Sequence, residues 1–252
     1  MKPIWDLRCG DCLDPVTGLA SLGDKSVDHV ITDPPYSRAV YMRARAPESH
    51  GGRDGKAGSN TPNRIGPGLA ALAAGAIGFV DEMIAPASEQ FGRLCTRWTI
   101  VFSDFESADR WRLAMQPALR YMRTGAWVKP DAMPQMTGDR PAVGFEPCTI
   151  MHSALKSRWN GGGKQALWTF GVEKQDRPDH PCPKPIALME KLIRDFTDPG
   201  DLILDPFAGS GTTGVAAIRL GRRFIGWEKD PKYHAIALKR LTAAKEQLEL
   251  CA

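Results

Sequence analysis

The sequence predicts a doubly wound α/β fold with a mostly parallel, Rossmann-like sheet. Short apolar runs rich in β-branched and aromatic residues alternate with amphipathic runs of helical length, most clearly at the two ends of the chain. Two segments, residues 27–32 and 202–204, predict buried strands that stop at an aspartate followed by a proline. In open parallel sheets, ligands bind beyond the carboxyl ends of the strands where the strand order reverses. We therefore expect two ligand sites that meet at one edge of the sheet.

The N-terminal segment predicts one crossover unit followed by a long loop. Residues 5–8 predict a strand that ends at Gly10, residues 13–22 a short helix, and residues 27–32 the next strand. Such strand-helix-strand units are almost always right-handed. Residues 41–68 are rich in Gly, Arg, Ser, Asn and Pro and have almost no apolar periodicity, which predicts a mobile loop inserted into the domain.

The middle of the chain predicts three further strands and two helices. Small and apolar residues at 69–87 and 108–119 are compatible with helices. β-Branched and aromatic residues predict strands at 98–103, 126–128 and 148–151, because such side chains fit a pleated, half-buried surface.

The C-terminal part predicts a regular alternation that follows a second insertion. Residues 153–179 contain three consecutive glycines and two tryptophans without a clear period and form that insertion. Gly221 stands where glycine is common after a helix end, because that position adopts the left-handed conformation. The predicted elements are helices at 185–196, 211–220 and 231–248 and strands at 202–204 and 223–226. Together the predicted strands make a seven-stranded sheet in one domain spanning residues 1–252.

Basic residues are concentrated in two segments. The chain has 33 Lys and Arg against 29 Asp and Glu, and this formal charge of +4 is too small by itself to indicate a polyanionic partner. However, residues 38–64 hold six basic residues and two acids, and residues 110–129 hold five basic residues and no acid. This distribution predicts one positive face. The basic residues of the first segment are Arg38, Arg43, Arg45, Arg53, Lys56 and Arg64.

The cysteines and the hydropathy pattern favour a cytoplasmic protein. Six cysteines are scattered along the chain, no signal-peptide pattern opens it, and no apolar run approaches the roughly 18 residues of a membrane span. Cys9 and Cys12 have the spacing of half a zinc site, but no second Cys or His pair with ligand spacing follows. We therefore expect neither a metal site nor a membrane segment.

A glycine-rich turn predicts a nucleotide-binding site. Gly209-Ser210-Gly211 follows a predicted strand and opens a predicted helix, and Glu228 stands nineteen residues after the first glycine, at the end of the next strand. Glycines let the backbone pass close to a ligand, and an acid at that distance can accept hydrogen bonds from ribose hydroxyls. The pattern by itself fits a dinucleotide and S-adenosylmethionine equally. A phosphate loop is disfavoured because no Lys-Ser or Lys-Thr pair follows the glycines.

The motif Asp33-Pro34-Pro35-Tyr36 is suited to a flat base that carries an amino group. The lone pair of such an amino group is delocalised into the ring, which makes it a poor nucleophile. Acceptors aimed at its N–H bonds, here the Asp33 carboxylate and the Pro34 carbonyl, would localise the lone pair and stabilise the charge that develops during attack. Tyr36 offers a face for a flipped-out base, and such stacking contributes roughly 1–3 kcal/mol.

In order and content, these motifs resemble the S-adenosylmethionine-dependent DNA amino-methyltransferases of the beta class, in which the catalytic motif precedes the cofactor motif. The resemblance implies a circularly permuted methyltransferase sheet, S-adenosyl-L-methionine as the cofactor and double-stranded DNA as the partner, with a homodimer as one assembly. Residues 180–185 resemble the family's His-Pro-x-x-Lys-Pro element, which implies that Lys184 lies near the methionine carboxylate. Asp11 stands where an acid typically meets the adenine amino group.

The resemblance assigns roles to individual residues. The catalytic residues implied are Asp33, Pro34, Pro35 and Tyr36. The cofactor-binding residues implied are Asp11, Cys12, Lys184, Asp205, Phe207, Gly209, Ser210, Gly211, Thr212, Glu228 and Lys229. We expect the six basic residues between positions 38 and 64 to bind DNA, and residues 153–179 to stand in place of the family's larger target-recognition region.

Several alternatives remain open at this stage. An aspartate at the first catalytic position favours adenine N6, whereas serine there is typical of cytosine-N4 enzymes of this family. An enzyme that methylates RNA or a protein glutamine could use a similar motif, although those relatives usually carry the cofactor turn first. Two hypotheses come from other classes of protein: a DNA-binding homologue without activity, and an NAD-dependent dehydrogenase. The dehydrogenase hypothesis leaves the proline motif unexplained.

Overall fold

The computed structural model describes residues 3–36, 80–132, 134, 140–153, 156–173 and 183–250. Within these residues the chain forms one eight-stranded sheet. The strands are β1 (Trp5–Cys9), β2 (His29–Thr32), β3 (Trp98–Phe102), β4 (Arg120–Val128), β5 (Phe145–His152), β6 (Leu167–Thr169), β7 (Leu202–Asp205) and β8 (Arg223–Glu228). The α-helices are α1 (Val80–Leu94), α2 (Phe105–Met115), α3 (Ile186–Phe196), α4 (Thr212–Arg219) and α5 (Pro231–Leu250), and a short 3-10 helix covers Leu19–Ser21.

The strand order is β1-β8-β7-β2-β3-β5-β4-β6. Of these eight strands, only β5 runs against the common direction, since it pairs antiparallel with both β3 and β4. The chain moves from β7 to β8 in one direction across the sheet and from β2 to β3 in the other. The strand order therefore reverses between β2 and β7, which are parallel neighbours in register at His29 and Ile203. Such a reversal is the usual place for a ligand crevice in a doubly wound sheet.

Helices cover both faces of the sheet. Successive residues of a buried strand point to opposite faces, so each strand contributes side chains to two separate clusters. Ile31 and Ile100 pack into one buried cluster with α3, α4 and α5, whereas their neighbours Val30 and Val101 pack into a second cluster with α1 and α2. Strands β2 and β3 are buried along their whole length. This two-sided burial explains why their sequences do not alternate between apolar and solvent-exposed polar residues.

The sheet has eight strands, so the prediction of seven was wrong. The additional strand β6 lies inside the insertion predicted at 153–179 and pairs parallel with β4. Three residues are too few to show a strand period. Trp168 at its centre is 4% exposed, and its indole N–H donates to Asp195 of α3 at 3.2 Å. Contacts with distant residues, not a local pattern, therefore form this strand.

Two helix predictions needed correction. The helix predicted at 13–22 is mostly a set of turns, because the Asp14 carboxylate accepts the backbone N–H groups of Val16 and Thr17 at 2.9 and 2.7 Å and so competes with helical hydrogen bonds. The helix predicted at 108–119 begins earlier, at Phe105, because the Asp104 side chain caps it by accepting the N–H of Ser107 at 2.7 Å.

Strand and loop predictions differ from the structure in extent. Strand β4 starts at Arg120, six residues before the predicted strand at 126–128. For the helix predicted at 69–87, the described part is α1, which begins at Val80 and continues to Leu94. The loop predicted at 41–68 lies outside the described residues. No helix among the described residues combines the length and the apolar character that a membrane crossing needs.

Candidate active site

The two motif-bearing strand ends meet at the reversal of strand order. The hydroxyl of Thr32, the last residue of β2, donates to Asp205 Oδ1 at 2.7 Å. Asp205 is the last residue of β7, and the same Oδ1 accepts the backbone N–H of Phe207 at 3.1 Å. Burial raises the pKa of Asp205 to about 6. The structure thus brings the proline motif and the glycine turn together, as their positions after neighbouring parallel strands require.

Asp33 forms an ion pair on one of its oxygens and leaves the other open. Lys184 Nζ lies 2.5 Å from Asp33 Oδ2 and 3.0 Å from the Tyr36 hydroxyl oxygen. Asp33 Oδ1 is buried and has no hydrogen-bond partner in the described part of the chain. A buried acceptor without a partner is costly, since folding removes its water without replacing it. The site therefore holds a strong acceptor ready for a donor from outside the protein.

Glu146 and Lys129 complete this end of the site. No sequence pattern indicated Glu146, and Lys129 was included only as the last residue of the basic segment 110–129. Glu146 Oε2 accepts the Tyr36 hydroxyl at 2.6 Å and lies 3.1 Å from Lys184 Nζ, while its Oε1 accepts from Lys129. Burial alone would raise the pKa of Glu146, but the two ammonium groups outweigh burial and lower it to about 2. Burial raises the pKa of Asp33, an effect that Lys184 opposes. Burial also raises the pKa of Tyr36 well above its usual value, so the phenol stays protonated.

The glycine turn and the acid after β8 form the other half of the site. Gly209 and Gly211 have φ angles of 54° and 80°, in the left-handed region that favours glycine. A Cβ on Gly211 would also lie 3.0 Å from the Cβ of Ala237 in α5, so this turn packs directly on that helix. The Glu228 carboxylate accepts the N–H groups of Gly209 and Asp230 at 2.8 and 2.7 Å. These bonds fix its orientation, and burial raises its pKa to about 7.

The residues predicted for the adenine end of the cofactor lie beside Glu228. Asp11 follows β1, the neighbour of β8, and its Oδ2 accepts from Lys229 Nζ at 2.9 Å. Asp11 Oδ1 accepts the N–H of Leu13 at 2.9 Å. Cys12 is buried, and burial raises the pKa of its thiol. Asp11, Lys229 and Glu228 therefore share one edge of the sheet, as their predicted roles require.

An arginine of α5 holds the glycine turn and was also missed by the sequence patterns. Arg240 Nη1 donates to the Ser210 carbonyl at 2.6 Å and lies 3.2 Å from Ser210 Oγ and 3.3 Å from Thr212 Oγ1. In sequence, α4 and β8 lie between the glycine turn and Arg240. The contact therefore becomes visible only through the packing of α5 on α4.

The Lys184 ammonium group lies at the proline motif. Its ammonium group has three hydrogens, and oxygens of Asp33, Tyr36 and Glu146 lie within 3.1 Å of the nitrogen. A contact with a cofactor carboxylate would require one of these bonds to be released. Its predicted contact with the methionine carboxylate stays a prediction.

Several predicted residues lie outside the part of the chain that the structure describes. They are residues 180–182 and the six basic residues Arg38, Arg43, Arg45, Arg53, Lys56 and Arg64. No group of three or more His, Cys, Asp or Glu side chains suited to a metal ion occurs among the described residues.

Comparison with known proteins connects this site with DNA methylation. Residues 151–239, which include α3, the glycine turn and Glu228, match the model of the family described as DNA methylase, N6_N4_Mtase. This part of the chain is typical of a DNA methylase. Type II methyltransferase M2.DpnII from Streptococcus pneumoniae is 45% identical over 98 residues, which are 38% of this chain and 37% of that protein. This chain thus aligns with about a third of that enzyme's length.

Longer matches extend the similarity over nearly the whole chain. YubD from Escherichia coli (strain K12) is 29% identical over 243 residues, which cover 95% of this chain and 91% of YubD. The structure of the M1.HpyAVI-SAM complex matches with a TM-score of 0.65 and 23% identity, covering 94% of this chain and 98% of that one. PvuII DNA methyltransferase, which is cytosine-N4-specific, matches with a TM-score of 0.69 and 18% identity, covering 98% and 95%. At these identities the structural matches establish the fold, which is that of methyltransferases.

Proposed function

We propose that this protein is a DNA methyltransferase that transfers a methyl group from S-adenosyl-L-methionine to the exocyclic N6 of a flipped-out adenine. The observation that carries the proposal is the buried Asp33 Oδ1, which has no partner in the described chain and lies where β2 and β7 end side by side. The DNA methylase match and the similarity to a type II methyltransferase support DNA methylation as the reaction.

The cofactor is S-adenosyl-L-methionine, which supplies an electrophilic methyl group. The donor set at the glycine turn suits it: the Glu228 carboxylate is oriented by two backbone N–H groups and keeps lone pairs for the ribose hydroxyls. Asp11 would bind the adenine amino group. The remaining residues proposed for this site are Cys12, Asp205, Phe207, Gly209, Ser210, Gly211, Thr212 and Lys229.

At the reacting end, the chain's own groups activate the target amine. Asp33 Oδ1 and the Pro34 carbonyl accept the two N–H bonds of the base, which localises the nitrogen lone pair and stabilises the positive charge that develops during attack. Pro34 and Pro35 restrict the backbone, since proline fixes φ. The Tyr36 ring stacks on the extruded base, and this contact offsets part of the few kcal/mol that flipping costs.

Adenine N6 is favoured over cytosine N4 by the aspartate at position 33. The cytosine-N4-specific PvuII enzyme has the same fold, so the alternative product is cytosine-N4 methylation. The catalytic motif follows β2, and the cofactor turn follows β7, so the catalytic motif comes first in the chain. This order supports assignment to the beta class and a circularly permuted sheet. Double-stranded DNA is the proposed partner, with the six basic residues between positions 38 and 64 as its contacts.

Product analysis tests the proposal. Duplex DNA of mixed sequence, single-stranded RNA and a cell protein extract are each incubated with the purified protein and S-adenosyl-L-methionine carrying an isotopically labelled methyl group. The DNA is digested to nucleosides and analysed by mass spectrometry. We expect labelled N6-methyladenine in the DNA alone. Labelled N4-methylcytosine would reassign the base, label in RNA or protein would reassign the substrate, and no label in any of the three would favour a homologue without activity.

Arg240 provides a test of the glycine turn that leaves the proposed cofactor contacts intact. Arg240→Met removes the donor that holds Ser210 and Thr212, and we expect the affinity for S-adenosyl-L-methionine to fall by about tenfold, the scale of one hydrogen bond to a charged group. Calorimetric titration measures the change. Lys239→Met is the matched control, because it removes the same charge from an exposed neighbouring position of α5. Equal affinities for the two variants would show that Arg240 does not order the turn.

A further inference from the structure

Four charged side chains and one phenol form a connected group beneath the proline motif. We call this group the Lys184 cluster; it consists of Asp33, Tyr36, Lys129, Glu146 and Lys184. Lys184 has a side chain only 9% exposed, and those of Glu146 and Lys129 are 17% exposed. Two carboxylates and two ammonium groups balance in charge.

The fold explains why residues so distant in sequence converge here. Strand β5 runs antiparallel to β3, so the start of β5 lies beyond the carboxyl end of β3, on the edge where Asp33 follows β2. Glu146 is in phase with Cys148 and Ile150, which face the α3 side of the sheet, and Lys184 directly precedes the N-cap of α3. Lys129 follows β4, and its backbone N–H donates to the Gly144 carbonyl at 2.7 Å.

Glu146 contacts three of the other four members of the cluster and lies in neither motif. One of its oxygens contacts both Tyr36 and Lys184, and the other contacts Lys129. Lys184 is also enclosed by aromatic rings, with the ring centroids of Phe102 and Trp127 at 5.1 and 5.7 Å from its Nζ. In such surroundings the direction of Lys184 and of the Tyr36 hydroxyl is set by their anionic partners.

We infer that Glu146 is a positioning residue of the methyl-transfer reaction, which holds Lys184 and Tyr36 in place so that Asp33 Oδ1 stays free to accept the target amine. The inference rests on the proposed function. Lys184 satisfies Asp33 Oδ2, which fixes the carboxylate plane and leaves Oδ1 as the open acceptor. Glu146 gives Lys184 a second anionic partner and accepts a hydrogen bond from the Tyr36 hydroxyl, which fixes the ring that receives the base.

A purely structural role is a weaker account of this arrangement. Buried ion pairs stabilise folds little, because the desolvation of two charges offsets most of their attraction, and apolar residues of similar size are often as stable. Formation of the Lys184 cluster desolvates its charges and still leaves the Asp33 Oδ1 acceptor without a partner in the described chain. This unfavourable free energy is explained if Asp33 Oδ1 binds the substrate.

Glu146→Gln tests the inference, because it keeps the size of the side chain and removes its charge. We expect kcat for DNA methylation to fall by about 10- to 100-fold, the scale of a displaced catalytic group, while KM for S-adenosyl-L-methionine changes less than twofold. Glu190→Gln is the matched control. Glu190 lies on α3 and pairs with Arg194 and Arg219, away from the cluster, so this variant should retain the wild-type kcat. An unchanged kcat for Glu146→Gln would overturn the inference.

A second measurement does not depend on methyl transfer. Asp33 and Glu146 raise the pKa of Lys184 and outweigh the opposite effect of burial, so the amine is protonated and reacts slowly with acetic anhydride. Loss of the Glu146 charge lowers that pKa, and we expect Lys184 in Glu146→Gln to be acetylated about tenfold faster at pH 9, which corresponds to a shift of about one pKa unit. Mass spectrometry of tryptic peptides measures the rate, with the exposed Lys239 as the internal reference. Unchanged labelling would show that Glu146 does not control Lys184.

Two further comparisons separate the possible failures. If Glu146→Gln does not fold, as judged by circular dichroism, Glu146→Asp replaces it. This variant keeps the charge but shortens the side chain, which withdraws the carboxylate from both Tyr36 and Lys184. A lower kcat is therefore expected, and a wild-type kcat would overturn the inference. If the wild-type protein transfers no methyl group although Lys184 labels as expected, the proposed function fails while the coupling of Glu146 to Lys184 stands.

Discussion

Replacing Asp33 with alanine is expected to lower kcat for methyl transfer by about 10²- to 10³-fold, the loss typical when one preorganised group that stabilises transition-state charge is removed. The variant lacks Oδ1, the open acceptor at the end of β2. Affinity for S-adenosyl-L-methionine should stay within a few-fold of the wild-type value. Asp33 pairs with Lys184 at the proline motif and not with the glycine turn. Single-turnover transfer and calorimetric titration measure the two quantities.

Controls distinguish the missing acceptor from a changed charge. Asp33→Asn retains one acceptor oxygen without the charge and is expected to lie between alanine and the wild type. Asp24→Ala removes an exposed carboxylate that pairs with Arg93 and should leave kcat unchanged. Transfer at nearly the wild-type rate in Asp33→Ala would exclude Asp33 as the residue that activates the amine.

The second large effect is expected at Glu228. Glu228→Ala should weaken S-adenosyl-L-methionine binding by roughly 1.5–3 kcal/mol, the range for hydrogen bonds to a charged group, or about ten- to hundredfold in Kd. The carboxylate is already oriented by Gly209 and Asp230, so little ordering is needed when the ribose hydroxyls bind. Calorimetry on Glu228→Ala and on Glu190→Gln, which changes a half-buried carboxylate on α3, gives the comparison. Equal affinities would place the ribose at another acid.

Cofactor affinity should also depend on pH through the same residue. Burial raises the pKa of Glu228 to about 7, so at pH 6 the free protein holds mostly the neutral acid. Ribose hydroxyls donate to the carboxylate form, and binding therefore competes with protonation. Affinity should increase from pH 6 to pH 8 and level off above about 7 in the wild type. Glu228→Gln should lack this increase in affinity near pH 7. Any change in affinity near pH 6 that remains in Glu228→Gln is assigned to Asp205, because burial raises the pKa of Asp205 to about 6.

The interpretation of the two motifs from sequence was reliable because each signal is local. A strand pattern that ends before Asp-Pro-Pro-Tyr, and another that ends before a glycine turn, mark the buried strands β2 and β7 and the turns that follow them. The reversal of strand order then places both ends at one edge, as found for Thr32 and Asp205. The roles given to these residues remain predictions that the variants above test.

Other parts of the site have no local signal. Glu146 lies 110 residues from Tyr36, and Arg240 lies 30 residues from Ser210, so neither stands in a motif with its partner. Strand β6 is three residues long and depends on β4 and on the contact between Trp168 and Asp195. Lys184 was placed at the methionine carboxylate by resemblance, whereas the structure shows its ammonium group bonded to the proline motif.

Patterns along the chain were thus enough to establish the α/β class, the strand ends and the residue types at each end, because neighbouring residues dictate burial period, capping and turns. Contacts between distant segments decided the eighth strand and the partners of Lys184. The reason is physical: a buried charge such as Lys184 takes the partners that the packed strands bring within about 3 Å, and this proximity is a property of the sheet, not of the sequence around any one residue.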